Sequence, residues 1–123
     1  IDDTLMIYGD ADKLARVFDN LLRNAIAYCD KGTAIRIQAK ERHQEIEIVV
    51  ANEGEKIPEE ELSAIFEKFY RVDGSRSSKT GGAGLGLAIA KEIVELHHGT
   101  IRAESDEWET RFIVTLPAMS EGE

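Results

Sequence analysis

The sequence predicts an α+β domain whose sheet is mixed or antiparallel, and three observations predict it. Apolar residues between Ala11 and Cys29 fall at Leu14, Val17, Phe18, Leu21, Leu22 and Ala25, the spacing of one helix face. Two pairs of alternating segments, AIRIQAK with EIEIVVAN and TIRAES with RFIVTLP, are joined by the short links ERHQ and DEWE, which read as hairpin turns. The resulting order, β-α-β-β-α-loop-α-β-β, does not alternate strand and helix as a doubly wound parallel sheet does.

Each element has a local reason. TLMIYG, Thr4 to Gly9, reads as a short strand closed by a glycine turn, and Asp10 is placed to cap the helix that follows. DKGT at Asp30 to Thr33 breaks that helix. Pro58 followed by Glu59, Glu60 and Glu61 marks a second helix start, because proline and acidic side chains suit a first turn. Leu62, Ile65, Phe66 and Phe69 give it an apolar face. Arg71 to Gly84 has no periodicity and is rich in Gly, Ser, Lys and Thr, the composition of a mobile loop. Leu85 to Leu96 is helical by its Leu85, Ile89, Ile93 and Leu96 stripe, with Gly99 as its stop.

Composition narrows the function. The 123 residues suit one domain spanning positions 1–123, and 42% hydrophobic with 32% charged residues suits a cored, water-exposed chain. A formal net charge of -9 argues against nucleic acid and against direct contact with an anionic membrane, since both select basic patches. The sequence contains no apolar run of spanning length and no signal peptide. Its single cysteine, Cys29, excludes an internal disulfide and fits a reducing, cytoplasmic setting. The start at Ile1, without Met, reads as a piece of something longer.

The stretch TGGAGLGLAIAKEIVELHHGT, Thr80 to Thr100, carries the chemistry. It is not a P-loop, because GSRSSKTG has Ser78 where the second glycine belongs, and GAGLG lacks the spacing of a dinucleotide fingerprint. No HRD or DFG segment of the protein-kinase type is present. What remains is physical: Gly82, Gly84 and Gly86 let backbone N–H groups approach an anion, and a helix N-terminus adds partial positive charge. A flexible hinge before a core helix explains the same glycines equally well. DNLLRNAIAY then sets Asn20, Asn24 and Tyr28 four residues apart, one stripe bordering the apolar face. Two amides there read either as backbone-bonded or as the wall of a site, in which an Asn oxygen can ligate Mg²⁺. Asn52 ends a strand before Gly54 in VVANEGEKIPEE and is placed either to read a base edge or simply to turn the chain. In FEKFYR, Phe66 and Phe69 read as core, and Arg71 as either a phosphate contact or a solvated side chain.

Together these blocks resemble the catalytic ATP-binding domain of sensor histidine kinases, the GHKL or Bergerat fold, over nearly the whole chain. NLLRNA looks like the N box, NEGEKIP like the G1 box, FEKFYR like the F box and GGAGLGLAIAKEIVELHHG like the G2 box. The wording KLARVFDNLLRNAIAY is similar to kinases of the VanS type, which sense glycopeptide antibiotics. The resemblance implies a two-layer α/β sandwich with helices on one face of a mostly antiparallel sheet and a mobile ATP lid at Val72 to Ala83. It implies ATP and Mg²⁺ as cofactors. Asn24 would coordinate the metal, Asn20 position phosphate or water, and Arg71 contact phosphate. Tyr28 would stack on adenine, with Asn52, Gly54, Ile57 and Thr110 completing that end. Gly82, Gly84, Leu85 and Gly86 would present N–H groups to the phosphates.

Three positions and one turn depart from the family pattern. Asn52 stands for the adenine-reading aspartate, Lys56 for the second G1 glycine, and Ala27 for a common basic residue. SDEWET keeps only Thr110 of a glycine-threonine turn, with Trp108 expected to pack. The phosphoacceptor helical hairpin of such kinases is missing, so the resemblance implies half an enzyme. Its partner is then that hairpin domain and, indirectly, a response regulator. The isolated piece is expected to be monomeric, and its parent anchored in the plasma membrane. A nucleotide-binding regulatory module with little catalysis is the alternative reading, and Asn20, in place of the Glu that hydrolysing relatives carry in the N box, disfavours an ATPase.

Overall fold

The computed structural model describes residues 9–67 and 86–118. Helix α1 spans Ala11–Tyr28, strand β1 Ile35–Arg42, β2 Glu45–Asn52, helix α2 Gly86–Leu96, β3 Thr100–Ser105 and β4 Thr110–Pro117. The four strands form one sheet in the order β1-β2-β4-β3, antiparallel throughout. The strand expected before α1 lies, apart from Gly9, outside the described residues.

Asp10 accepts a hydrogen bond from Lys13 N–H at 3.1 Å and satisfies one of the donors a helix start leaves open. Leu14, Val17, Leu21 and Ala25 of α1 are buried, as the sequence spacing requires. They meet Ala90, Ile93 and Val94 of α2 and, from the sheet, Val50, Phe112, Val114 and Leu116. Period-two alternation puts those four strand residues on one sheet face, so both helices lie on that face. The architecture is therefore a two-layer sandwich among the described residues.

Three local expectations need correction. The helix expected after Pro58 is instead two short 3-10 turns, Glu59–Glu61 and Ala64–Phe66. Their bonds run three residues back, from Glu61 N–H to Pro58 O and from Glu67 N–H to Ala64 O, both at 2.9 Å. Ile65 and Phe66 still reach the core, where the Phe66 ring stands edge-on to Phe112 at 6.0 Å between centroids. The ERHQ link is tighter than it reads, because the strands extend to Arg42 and Glu45 and only His43 and Gln44 turn, at φ of 52° and 67°. Finally, the left-handed residue ending α2 is His98, at φ 65°, and not Gly99. Gly99 N–H bonds Val94 O at 3.0 Å, closing a Schellman-type end. Its missing side chain serves packing, since a Cβ there would collide with the carbonyl oxygen of Thr115 on β4.

Candidate nucleotide-binding site

One end of the site is built by strand register. Asn52 lies opposite Thr110, and Thr110 opposite Ser105. Alternation from Val50 and Phe112 turns this row toward the helix layer, where Asn52 and Thr110 are each only 4% exposed. Polar groups that deep are costly unless bonded. Ser105 Oγ and Thr110 Oγ1 share a hydrogen bond of 2.8 Å, and Ile57 N–H donates to Ser105 Oγ at 2.9 Å. The predicted residues Asn52, Ile57 and Thr110 are thereby brought to one place. Ser105 joins them from outside the sequence boxes. The signal was present: if DEWE is the turn, residue 105 must face residue 110.

The C-terminal end of α1 closes on this row. Cys29 bridges to Gly54, and Asp30 N–H donates to Glu53 O at 2.7 Å. A Cβ at Gly54 would strike the carbonyl oxygen of Tyr28 and lie 3.3 Å from Asn52 Nδ2. Glycine is required here by close approach, and that approach brings half-buried Tyr28 to Asn52.

The other end is fixed by Asn20. Its Nδ2 donates to the carbonyl oxygen of Gly86, the first residue of α2, at 3.1 Å. Asn24, one turn further along α1, is half-buried and makes no side-chain hydrogen bond among the described residues. Arg71, Gly82, Gly84, Leu85 and the expected lid at Val72 to Ala83 lie outside the described residues. Of the departures, Ala27 is half-buried and Lys56 exposed.

The β3–β4 turn behind Thr110 is braced by charge. Asp106 Oδ1 accepts from Trp108 N–H at 2.8 Å and Glu109 N–H at 2.9 Å. The Glu109 and Trp108 amides hold the Asp106 carboxyl below the ordinary carboxylate range. Arg111 bonds Glu109, Asp106 and Glu104, and its guanidinium is held above its ordinary value, chiefly by Glu109. Glu109 also pairs with Arg36 across the sheet at 3.0 Å. Trp108 does not pack as expected. It stands 77% exposed at the tip, because the turn is held by Asp106 and not by an apolar contact.

The histidines are placed elsewhere. His97 Nε2 accepts from Asp10 N–H at 3.0 Å and its Nδ1 lies 2.9 Å from Ile93 O, so the ring ties the end of α2 to the start of α1. His43 is in the β1–β2 turn, and His98 is exposed just beyond α2. Among the described residues no helix is long and apolar enough to cross a membrane.

A buried polar row lies at one end of α1 and an amide-tied helix start at the other, both held on a two-layer α/β sandwich. The chain belongs to the family described as histidine kinase-, DNA gyrase B-, and HSP90-like ATPase, which matches residues 9–120. Within that family its relatives are sensor histidine kinases. It is 55% identical over 117 residues to the sensor protein VanS of Enterococcus faecium, covering 95% of this chain and 30% of that protein. It is 46% identical over 114 residues to the probable sensor kinase SilS of Salmonella typhimurium, covering 93% of this chain and 23% of that one. The chain thus spans less than a third of the length of these relatives. Among solved structures it is similar to the mycobacterial sensor histidine kinase MprB, with a TM-score of 0.79 and 29% identity, covering 89% of this chain and 73% of that one. The histidine kinase ThkA, solved in complex with the response regulator protein TrrA, gives a TM-score of 0.79 at 28% identity over 99% of this chain and 33% of that one. The chain is a catalytic domain of the histidine-kinase type.

Proposed function

We propose that the chain binds Mg-ATP along α1 and transfers the γ-phosphoryl group to a histidine on a separate helical-hairpin domain. The observation that carries this reading is the span of the stripe. Asn20 is tied to the start of α2, and Tyr28 meets the Gly54 turn. Eight residues of helix separate them, about 12 Å at the helical rise. That length suits an extended nucleotide, with its base at the Asn52–Thr110 row and its phosphates at the α2 N-terminus, rather than a small anion.

The residues fit the metal as well as the nucleotide. Asn24 offers a hard amide oxygen with no competing bond among the described residues, which suits an ion that takes few protein ligands and keeps water and phosphate for the rest. The metal, when bound, neutralises charge on the phosphates. Asn20 holds α2 so that its first N–H groups face the phosphates. Asn52 Oδ1 accepts from the base amine, and Tyr28 covers the ring. Arg71 adds a cation at the phosphates. His43 lies in the β1–β2 turn, and His97 and His98 lie at the far end of α2 from its N-terminus, so the acceptor comes from a partner domain. Close similarity to VanS supports glycopeptide sensing as the role of the parent, a membrane-anchored kinase with this domain in the cytoplasm and a response regulator as its downstream partner.

The test is incubation of the folded chain with γ-labelled ATP and Mg²⁺, with and without the VanS histidine hairpin. Acid-labile label is expected on the hairpin alone, rising with hairpin concentration because the tether is missing. Label on this chain, or none on a folded hairpin despite measured ATP binding, refutes the transfer reading. The second outcome leaves a nucleotide-binding regulatory module.

A further inference from the structure

Ser105 sits where nothing in the sequence boxes assigns a role. It ends β3, faces the helix layer beside Thr110, and holds two bonds: Ile57 N–H donates to its Oγ at 2.9 Å, and its Oγ lies 2.8 Å from Thr110 Oγ1. We infer that Ser105 is a positioning residue that sets the direction of the Thr110 hydroxyl proton and thereby selects adenine over guanine. This rests on the ATP reading above and goes one step deeper into the same site.

The argument is a count of protons and lone pairs. A serine hydroxyl has one proton and two acceptor positions, and so does threonine. The Ile57 N–H takes one acceptor position of Ser105. Bonds in a chain polarise one another, so a hydroxyl that already accepts becomes a better donor. Ser105 therefore gives its proton to Thr110 Oγ1. Thr110, with one of its two acceptor positions engaged, keeps its proton to donate outward. Asn52 is directly opposite Thr110 in register, and with its Nδ2 set toward Gly54 its carbonyl oxygen is the atom that accepts. The row thus presents one acceptor and one donor, side by side on neighbouring strands.

That pair matches one purine. The Watson–Crick edge of adenine carries an amine donor next to a ring-nitrogen acceptor, whereas guanine carries a carbonyl acceptor next to a ring N–H donor. Guanine would set acceptor against acceptor and donor against donor. If Thr110 instead gave its proton to Ser105, it would only accept, and the row would lose its preference. Ile57 is the anchor of the device, because its backbone donor follows from the G1 turn and cannot reverse.

The experiment uses the 123-residue chain and two variants of matched shape, Ser105→Thr and Ser105→Val, both compatible with a strand. Calorimetry gives Kd for Mg-ATP and Mg-GTP. Wild type and Ser105→Thr are expected to share one ATP-over-GTP preference, and Ser105→Val to lose roughly tenfold of it, the value of one hydrogen bond. An equal loss of ATP and GTP affinity in Ser105→Val, or an unchanged preference, overturns the inference and leaves a structural serine. A measurement on the wild type alone guards against a variant that does not fold. ATP whose ring N1 is replaced by C–H should bind roughly tenfold more weakly than ATP, and equal binding overturns the inference. Wild type that binds neither nucleotide overturns the ATP reading and this inference with it. Normal ATP binding without the preference removes the inference only.

Discussion

The side-chain amide of Asn20 donates to the main-chain carbonyl of Gly86 across 66 residues of sequence, at 3.1 Å. This bond makes one site out of two helices, since it locks the stripe on α1 to the first turn of α2. It also separates the two asparagines, which look equivalent in NLLRNA. Asn20 is engaged by the protein, whereas Asn24 makes no side-chain hydrogen bond among the described residues.

Asn20→Ala is therefore expected to cost about 0.5–1.5 kcal/mol of stability, the value of one such bond, and to weaken nucleotide binding with or without metal. Asn24→Ala is expected to leave stability unchanged and to abolish the part of ATP affinity that EDTA removes. Thermal unfolding together with calorimetry in Mg²⁺ and in EDTA checks both. Equal stability losses, or equal metal dependence, would reject this division.

Gly54→Ala should damage fold and site together. Its Cβ would collide with the Tyr28 carbonyl oxygen, which is backbone and cannot swing aside, and would crowd the Asn52 side chain. A loss of about 1–3 kcal/mol is expected from forced overpacking, with ATP affinity falling as Tyr28 and Asn52 part. Urea unfolding of the variant is the measurement, and a neutral substitution would mean that α1 and the G1 turn do not close as described.

The β3–β4 turn should be acid-sensitive through Asp106. Its carboxyl is held below its ordinary value by the Glu109 and Trp108 amides. A depressed carboxylate contributes stability that is whole above its unfolded value, about 3.9, and is lost as pH falls through the lower folded value. The urea midpoint should therefore drop below about pH 4, and the drop should be smaller in Asp106→Asn, whose amide oxygen still accepts at any pH. Identical acid profiles for the two proteins would place the acid sensitivity elsewhere.

The His43-Gln44 turn is the simplest place to gain stability. Both residues have positive φ, the pattern of a type I′ hairpin turn, and neither is suited to it. Replacing them by Asn-Gly should raise stability by roughly 0.5–1 kcal/mol without altering nucleotide affinity. The unfolding midpoint and the ATP Kd report the two halves of that statement.

By itself, the sequence determined those features that depend on short-range periodicity. The 3.6-residue stripe of α1, the Asp10 cap and the alternation of four strands are local regularities, and folding keeps them because each buries one face. The Asn20–Asn24–Tyr28 spacing was legible for the same reason, and the glycine loop before Gly86 lies outside the described residues. Tertiary structure decided what depends on partners far away in the chain. Nothing near Pro58 says that the next segment coils into 3-10 turns, because Phe66 reaching Phe112 sets its path. Nothing in HHG says that His98 takes the left-handed position, because Gly99 is needed against Thr115. A DEWE turn already faces Ser105 with Thr110, but only the packing of a distant segment brings Ile57 N–H to the Ser105 oxygen. Trp108 reads as core by its apolar surface, yet Asp106 closes the turn with its own carboxylate and leaves the indole in solvent. A side chain's type fixes what it can bond, but only the packing of distant segments decides which of those bonds is within reach.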